Sequence, residues 1–546
     1  MNAMTPLVIG LAQIDALVGD IEGNVRRILA AVDRARAAHA ARLVVLPELT
    51  LLGYPPDDLL LRPDLPARID AALEELAAGL AEAGVAAIVG APQWEGDRRL
   101  NAAVVLDGGK RLGTARKRLL PNYGVFDEKR YFATGDEPCV VDIDGHALGV
   151  LVCEDMWAAH PAADAARAGA SVLVSINASP YHRGKRRERR AAAAARVAET
   201  GLPLVYVNQV GGQDDLVFDG ESFALSADGR VVAALPAFAE CDGAVTLDRA
   251  GALDAAASAP PLVPALPEAE SVYRAVVLGV HDYIGKNGFG GVFVGLSGGI
   301  DSALTLALAV DALGPERVTA VLMPSRYTAQ MSLEDATAEA RALGVASRTL
   351  SIEGPYEAFL DTLDEAFAGR AVDTTEENIQ ARCRGVLLMA LANKFNALVL
   401  STGNKSEMAV GYATLYGDMA GGFAPLKDVA KTRVYDLARW RNGQSPVIPE
   451  RVLERPPSAE LAADQADSDT LPEYEVLDPI LEALVERDDS VEEIVAAGYP
   501  EDVVRQIARM LVRSEYKRRQ AAPGPKVSPR AFGRERRYPI TSRYPF

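Results

Sequence analysis

Apolar positions recur along this chain in two rhythms. Between residue 7 and about 250, short β-branched runs (VIGLAQI, RLVVLPE, VAAIVGAP, NAAVVLD, LGVLVCED, SVLVSINAS, LPLVYVNQ) alternate with stretches of helical period such as NVRRILAAVDRARAAHA. The short runs read as strands and the 3.6-residue period as amphipathic helix, which predicts an α/β layered module. A second series follows, in which GVFVGLS, ERVTAVLMPS, ASRTLSIE and ALVLSTGN lie next to helical segments. Continuous apolar strands alternating with helices predict a parallel sheet covered on both faces. GALDAAASAPPLVPALPEAE, residues 251–270, is rich in Ala and Pro without sustained period and suits a connector. The pattern thus predicts one domain over 1–250, a linker over 251–270 with the boundary near 265, and a second domain over 271–546. Pro, Asp and Ser concentrate over 442–472, where a mobile loop is expected.

Composition narrows the function classes. The chain has 546 residues, 49% hydrophobic and 24% charged, which suits two or more globular cores at roughly 100–200 residues per domain. No apolar run approaches the roughly 18–20 residues of a membrane span, and MNAMTPLVIGLAQID lacks a basic segment and cleavage site. A cytoplasmic protein with no membrane partner is expected. A net charge of −18 argues against a nucleic-acid partner and leaves small anionic ligands open. The four cysteines (Cys139, Cys153, Cys241, Cys383) form no CxxC pair and the five histidines no HExxH spacing, so disulfide scaffolds and zinc sites are unsupported.

GVFVGLSGGIDSALTLALAV, residues 291–310, runs from strand through a glycine turn into helix. That geometry gathers backbone N–H groups and the positive helix end at one point, where a phosphate fits. Ser297 and Ser302 add hydroxyl donors, Gly298 and Gly299 permit close backbone approach, and Asp301 is a candidate Mg²⁺ ligand. A Walker loop would carry lysine near its end; GLSGGIDS carries Ile300 and Asp301 instead. SGGIDS resembles the SGGxDS signature of the ATP pyrophosphatases, which implies cleavage of ATP between its α- and β-phosphates, an adenylated acceptor, and ATP contacts along Gly295, Leu296, Ser297, Gly298, Gly299, Ile300, Asp301 and Ser302.

An adenylate needs a nucleophile, and the first half carries a candidate source of amine. Glu48 ends LVVLPE, Lys117 lies in GTARKRLLPN and Cys153 ends GVLVC. A thiol near pKa 8.5 needs help at neutral pH. Glu48 is the candidate base, and Lys117 would lower the thiol pKa and stabilise the oxyanion formed on an amide carbonyl. Over residues 5–250 these residues, with VVLPE, ARKRLLPNYGVFDE and VLVCEDMW, resemble the Glu-Lys-Cys triad of the nitrilase-like carbon–nitrogen hydrolases. Glu128 resembles a further acid of such sites, or forms a surface salt bridge.

The two halves together resemble the glutamine-dependent NAD⁺ synthetase family. The resemblance implies an N-terminal nitrilase-like αββα sandwich followed by a doubly wound, adenine nucleotide α-hydrolase-like domain. It implies hydrolysis of glutamine to glutamate and ammonia through a thioester at Cys153. The nicotinate carboxylate of deamido-NAD⁺ is then adenylated by ATP with Mg²⁺ and amidated to NAD⁺, with release of AMP and pyrophosphate. A sheltered passage for ammonia is expected. Carried over by position, Tyr123, Ser179 and Lys185 are glutamine contacts, Thr402 and Lys431 ATP contacts, and Asn378, Glu407 and Lys517 dinucleotide contacts. Asp301 and Glu407 are the candidate metal ligands, with Glu407 open between the metal and the dinucleotide. Lys185 could instead start a solvated basic helix, and Asn378 could cap one. The stretch LYGDMAGGF after GYAT departs from simpler ammonia-using relatives, so no nicotinate contact is assigned there. The family implies a homo-oligomer paired through the synthetase domains, and the basic, aromatic tail AFGRERRYPITSRYPF is expected to pack on its own subunit or a neighbour. Two alternatives stay open: an amidotransferase acting on another adenylated acceptor, and an amidase whose second half senses nucleotides.

Overall fold

The first apolar run forms the strand Leu7–Gln13 in the computed structural model, which describes residues 5–259, 261–457, 460–462 and 471–544. Leu7, Ile9 and Leu11 fill one side of this strand, while Gly10 faces Ala35 and Ala41 on the other. Both faces are buried, so the strand reads as a continuous apolar run rather than an alternation. It sits in a seven-stranded sheet ordered Leu253–Ala255, Cys241–Leu247, Leu7–Gln13, Leu43–Val45, Ala86–Glu95, Arg98–Asp107, Lys110–Arg116. A six-stranded sheet runs Val231–Ala234, Phe223–Leu225, Leu204–Asn208, Val172–Asn177, His146–Val152, Cys139–Ile143. Ile9, Val45 and Ile88 of the first sheet share one core with Val150, Val174 and Val207 of the second. Helices Ile21–His39 and Leu65–Ala83 back the first sheet. Ala162 and Ala165 of Ala159–Arg167, with Ala193 and Val197 of Lys185–Thr200, back the second. The layering is αββα.

The chain divides into two compact units, Met1–Gln213 with Val217–Ala265 and Leu266–Phe546 with Asp214–Leu216. The second unit holds a four-stranded parallel sheet ordered Ala346–Thr349, Val318–Leu322, Val292–Gly295, Leu398–Leu400. In chain order this is third, second, first, fourth, so the winding reverses between Val292–Gly295 and Leu398–Leu400. Ligand crevices in such sheets open at that switch point, beyond the carboxyl ends of the strands. A separate helical core gathers Leu477, Ile480, Ile507 and Leu511, with Phe532 from the tail.

Two sequence expectations need correction. The linker over 251–270 begins inside the sandwich: Leu253–Ala255 pairs antiparallel with Cys241–Leu247, Leu253 is buried, and the helix Glu268–Lys286 starts before 270. An edge strand of three residues carries too little apolar signal to stand out beside prolines. Within 442–472, residues 442–457 are tied down rather than loose. Asn442 accepts from the Val447 and Ile448 N–H groups, Glu450–Glu454 is helical, and Arg451 pairs with Asp335 at 2.8 Å. Residues 458–459 and 463–470 of that expectation lie outside the described residues. The first part of the tail packs on its own unit, with Phe532 in the helical core and Arg536 buried against Glu515, whereas residues 539–544 are exposed. Among the described residues no helix is long and apolar enough to cross a membrane.

Candidate active sites

In the first unit, three strand ends deliver the charged groups. The strand Leu43–Val45 stops short of Pro47, and the chain turns through Glu48 with Leu49 at φ 48°. A side chain on Gly90 of the next strand would put its Cβ 2.2 Å from the Leu49 nitrogen, so only glycine lets the turn lie this close. Lys117 directly follows the strand Lys110–Arg116. Cys153 ends the strand His146–Val152 at φ 47° and begins the short 3₁₀ turn Cys153–Met156. This left-handed conformation costs a non-glycine residue roughly 1–2 kcal/mol and holds the thiol at the strand end.

Lys117 Nζ lies 2.7 Å from Glu48 Oε1 and 2.8 Å from Glu128 Oε1. Asn101 Nδ2 donates to the same Glu48 oxygen at 2.6 Å, the Ala178 N–H donates to Glu48 Oε2 at 3.0 Å, and the Tyr54 hydroxyl donates to Glu128 at 2.9 Å. Glu48, Lys117, Cys153 and Glu128 are 0%, 1%, 4% and 5% exposed, so Glu128 belongs to a buried ion cluster and not to a surface salt bridge. Burial opposes the Lys117 charge, but Glu128 and then Glu48 outweigh it and hold the ammonium well above its ordinary pKa. Burial raises Glu128, against the pull of Lys117. For Cys153 the expectation of a lowered thiol pKa fails: burial, then Glu48, push it well above the usual value, and Lys117 offsets this only in part. Burial and Glu48 thus both disfavour the thiolate at this position.

Around this centre, Tyr123 is largely exposed and its hydroxyl donates to Glu154, the neighbour of Cys153, at 3.0 Å. Ser179 is buried, and its N–H donates to Asn208 at 2.9 Å. Arg189 donates to the Ser179 carbonyl at 3.3 Å and pairs with Asp219 at 2.9 Å. Lys185 opens the helix Lys185–Thr200, but its ammonium lies 4.1 Å from the centre of the Trp157 ring rather than in solvent. Burial lowers its pKa, while Glu188 and Cys153 act to raise it. Sequence reasoning missed Tyr54, Asn101, Arg189 and Asp155. For Tyr54, Asn101 and Asp155 the one signal is polarity inside or just beyond apolar runs, as in NAAVVLD and VLVCED, while Arg189 is one arginine among several in KRRERR and carries none.

In the second unit, the strand Val292–Gly295 leads through Leu296–Gly299 into the helix Ile300–Leu313. Gly298 has φ +83°, and a Cβ there would meet the Ser332 carbonyl oxygen at 2.3 Å. The Ser302 hydroxyl donates to the Gly299 carbonyl at 2.9 Å, and Ser297 Oγ accepts from the Gly299 N–H at 3.2 Å, so the hydroxyls brace the turn. A cavity of about 270 Å³ opens on it. Its lining includes Gly295, Leu296, Ser297, Gly299, Ile300, Asp301, Ser302, Thr402, Glu407 and Lys431, together with Arg384 and Arg455, which the sequence reading did not single out.

Lys431 Nζ forms an ion pair with Asp301 and lies 3.3 Å from Glu407 Oε1, while Asn404 donates to Asp301 Oδ1 at 2.9 Å. Two carboxylates sharing one ammonium lie near a common point. Such a pair suits Mg²⁺, which takes one or two carboxylates with phosphate oxygens and water. Among the described residues no group of three or more His, Cys, Asp or Glu side chains could hold a metal alone.

Gly298, Asn378 and Lys517 of the expected contacts do not line this cavity; Gly298 packs against the Ser332 carbonyl instead. Asp373 caps the helix Thr374–Phe395, and Asn378 instead accepts from the Thr414 hydroxyl at 2.7 Å. Lys517 Nζ donates to the Gly411 and Ala413 carbonyls at 2.7 Å each, holding the GYAT segment that brings Thr414 to the cavity. Asp418 of LYGDMAGGF also lines the cavity. Burial pushes it up to about 6, and it accepts from the Thr414 N–H at 2.6 Å.

Comparison with known proteins accounts for both halves. The carbon-nitrogen hydrolase family model matches residues 8–255 and the NAD synthase model residues 272–521. A Xylella fastidiosa protein named glutamine-dependent NAD(+) synthetase is 52% identical over 549 residues, covering 98% of this chain and 99% of the relative. A Xanthomonas campestris pv. campestris protein of the same name is 53% identical, covering 98% of each. A solved glutamine-dependent NAD+ synthetase from Acinetobacter baumannii, in complex with adenosine diphosphate, is 44% identical with a TM-score of 0.79 over 98% of each chain.

Proposed function

Because this chain belongs to the glutamine-dependent NAD(+) synthetase family, we propose that its first unit frees ammonia from glutamine at Cys153 and its second spends ATP to place that nitrogen on deamido-NAD⁺. The observation that carries the first step is the buried Glu48–Lys117 pair, 2.7 Å apart, within electrostatic reach of the Cys153 thiol. Glu48 takes the thiol proton as Sγ attacks the side-chain amide carbon of glutamine, and the Lys117 ammonium faces the developing oxyanion. The C–N bond then breaks, Glu48 returns the proton to the leaving nitrogen, and ammonia departs from a glutamyl thioester. Glu48 next draws a proton from water, whose oxygen displaces the thiol and gives glutamate. Tyr123, Ser179 and Lys185 hold the glutamine, and Glu128 keeps Lys117 in place.

In the second unit, the turn braced by Ser297 and Ser302 presents the N-terminal end of the helix Ile300–Leu313 to the ATP phosphates across Gly295–Ser302, with Thr402 and Lys431 as further contacts. The nicotinate carboxylate attacks the α-phosphorus, pyrophosphate leaves, and ammonia displaces AMP from the acyl adenylate. Asp301 and Glu407 would hold Mg²⁺, which neutralises phosphate charge when bound. Lys517 and Asn378 act on the dinucleotide through the GYAT segment they brace. The exposed apolar Val386 and Met389, on one side of the helix Thr374–Phe395, support pairing of synthetase domains into a homo-oligomer. The reading is of a cytoplasmic enzyme of small-molecule substrates.

The test supplies deamido-NAD⁺, ATP and Mg²⁺ with either glutamine or ammonium. Cys153→Ala is expected to abolish synthesis from glutamine and keep synthesis from ammonium. Equal loss on both nitrogen sources, with the fold intact, would overturn this division of labour.

A further inference from the structure

We propose that Asp155 is a positioning residue for the glutaminase centre: its one carboxylate ties the turn bearing Cys153 to the backbone just after Lys117, and so sets where the thiol stands against the ammonium. The inference rests on the reading of Cys153 as the nucleophile. Asp155 is 2% exposed. Its Oδ1 accepts from the Arg118 N–H at 3.0 Å and the Leu119 N–H at 2.9 Å, and its Oδ2 accepts from the Val152 N–H at 3.2 Å. These donors follow or end strands of different sheets, Lys110–Arg116 in the seven-stranded one and His146–Val152 in the six-stranded one. Apolar packing between two sheets is non-directional and fixes their relative register loosely. Three hydrogen bonds onto one buried carboxylate fix it in direction as well as distance.

The same bonds meet a second need. Cys153 sits at φ 47°, a conformation that persists only where the surroundings over-determine it. The Val152–Asp155 bond closes the turn around that residue, and the Arg118 and Leu119 bonds anchor it from outside. Burial pushes Asp155 up to about 6 against the pull of the three N–H groups and of Lys117. Lys117 is the charged group facing it, with Glu48 and Glu128 on the ammonium's hydrogen bonds. The clamp is therefore ionised and complete at neutral pH and weakens as pH falls through about 6.

Asp155→Asn keeps the shape but turns one acceptor into an amide donor facing an N–H. The full chain is assayed with deamido-NAD⁺, ATP and Mg²⁺, with glutamine or ammonium, beside wild type and Cys153→Ala. Expected for Asp155→Asn is a fall in glutamine-supported kcat of about 10–100-fold with KM within about threefold, and ammonium-supported synthesis within roughly twofold. Alkylation at the Cys153 peptide should show a higher pH midpoint, because the ammonium is no longer held beside the sulfur. Glutamine-supported kcat that stays near wild type, or equal loss on both nitrogen sources, overturns the positioning role. Glutamine use surviving in Cys153→Ala would remove the nucleophile reading and this inference with it. Should the asparagine variant not fold, hydrogen exchange of the wild-type chain decides. The Arg118, Leu119 and Val152 amides should lose protection together as pH falls below about 6, and independent exchange overturns the clamp.

Discussion

Cys153 shows how far a residue's environment departs from its type. Beside a lysine, a thiol is expected to ionise, yet burial and then Glu48 push its pKa well above the usual value. On the proposed reading, Lys117 therefore serves the oxyanion more than the thiolate. Replacing it with methionine removes that stabilisation, and Lys117→Met should lower glutamine-supported turnover by about 10²–10³-fold while ammonium-supported synthesis persists, as measured by steady-state kinetics on both nitrogen sources. Glu339 carries a cost of the opposite kind. It is 1% exposed, neither of its carboxylate oxygens has a hydrogen-bond partner, and burial followed by Asp335 pushes it up to about 8. A carboxyl whose folded pKa lies above its unfolded value costs nothing below the unfolded pKa, and the chain loses stability as pH climbs toward the folded one. Glu339→Gln should flatten that loss between about pH 4.5 and 8, with a gain of a few kcal/mol, roughly, at the upper end in denaturant titrations.

At the scale of elements, both centres are strand ends that turn sharply, and each turn is set by a close contact. Gly298 is the clearest case, since its φ of +83° and the Ser332 carbonyl both exclude a side chain. Gly298→Ala should disturb the turn before Ile300–Leu313 and cut NAD⁺ synthesis from either nitrogen source by about 10²-fold, leaving glutamine hydrolysis in place when glutamate release is assayed. The apolar pattern located all seven quoted strands of the first half and all four of the second. It passed over Lys110–Arg116 and Cys139–Ile143 because each ends a sheet, and an edge strand keeps polar residues such as Lys110, Arg111 and Asp142 exposed. The same weakness hid Leu253–Ala255 inside the supposed linker.

For the whole molecule, the proposed pairing of synthetase domains rests on the exposed Val386 and Met389. Val386→Glu with Met389→Glu should shift the mass seen by light scattering toward that of a single chain; an unchanged mass would count against pairing on this helix. The sequence by itself determined the class of each half and singled out the groups proposed here as reactive, because β-branched runs, glycine turns and the strings around Glu48, Cys153 and SGGIDS are local signals. Local signals carry no distances between remote segments. That Lys117 reaches both Glu48 and Glu128, that Asp301 and Glu407 share Lys431, and that Asp155 gathers N–H groups at the ends of strands from two sheets are consequences of tertiary packing. So are the pKa directions, since burial is the first cause acting on Cys153, Glu128 and Asp155, and burial belongs to the folded chain alone.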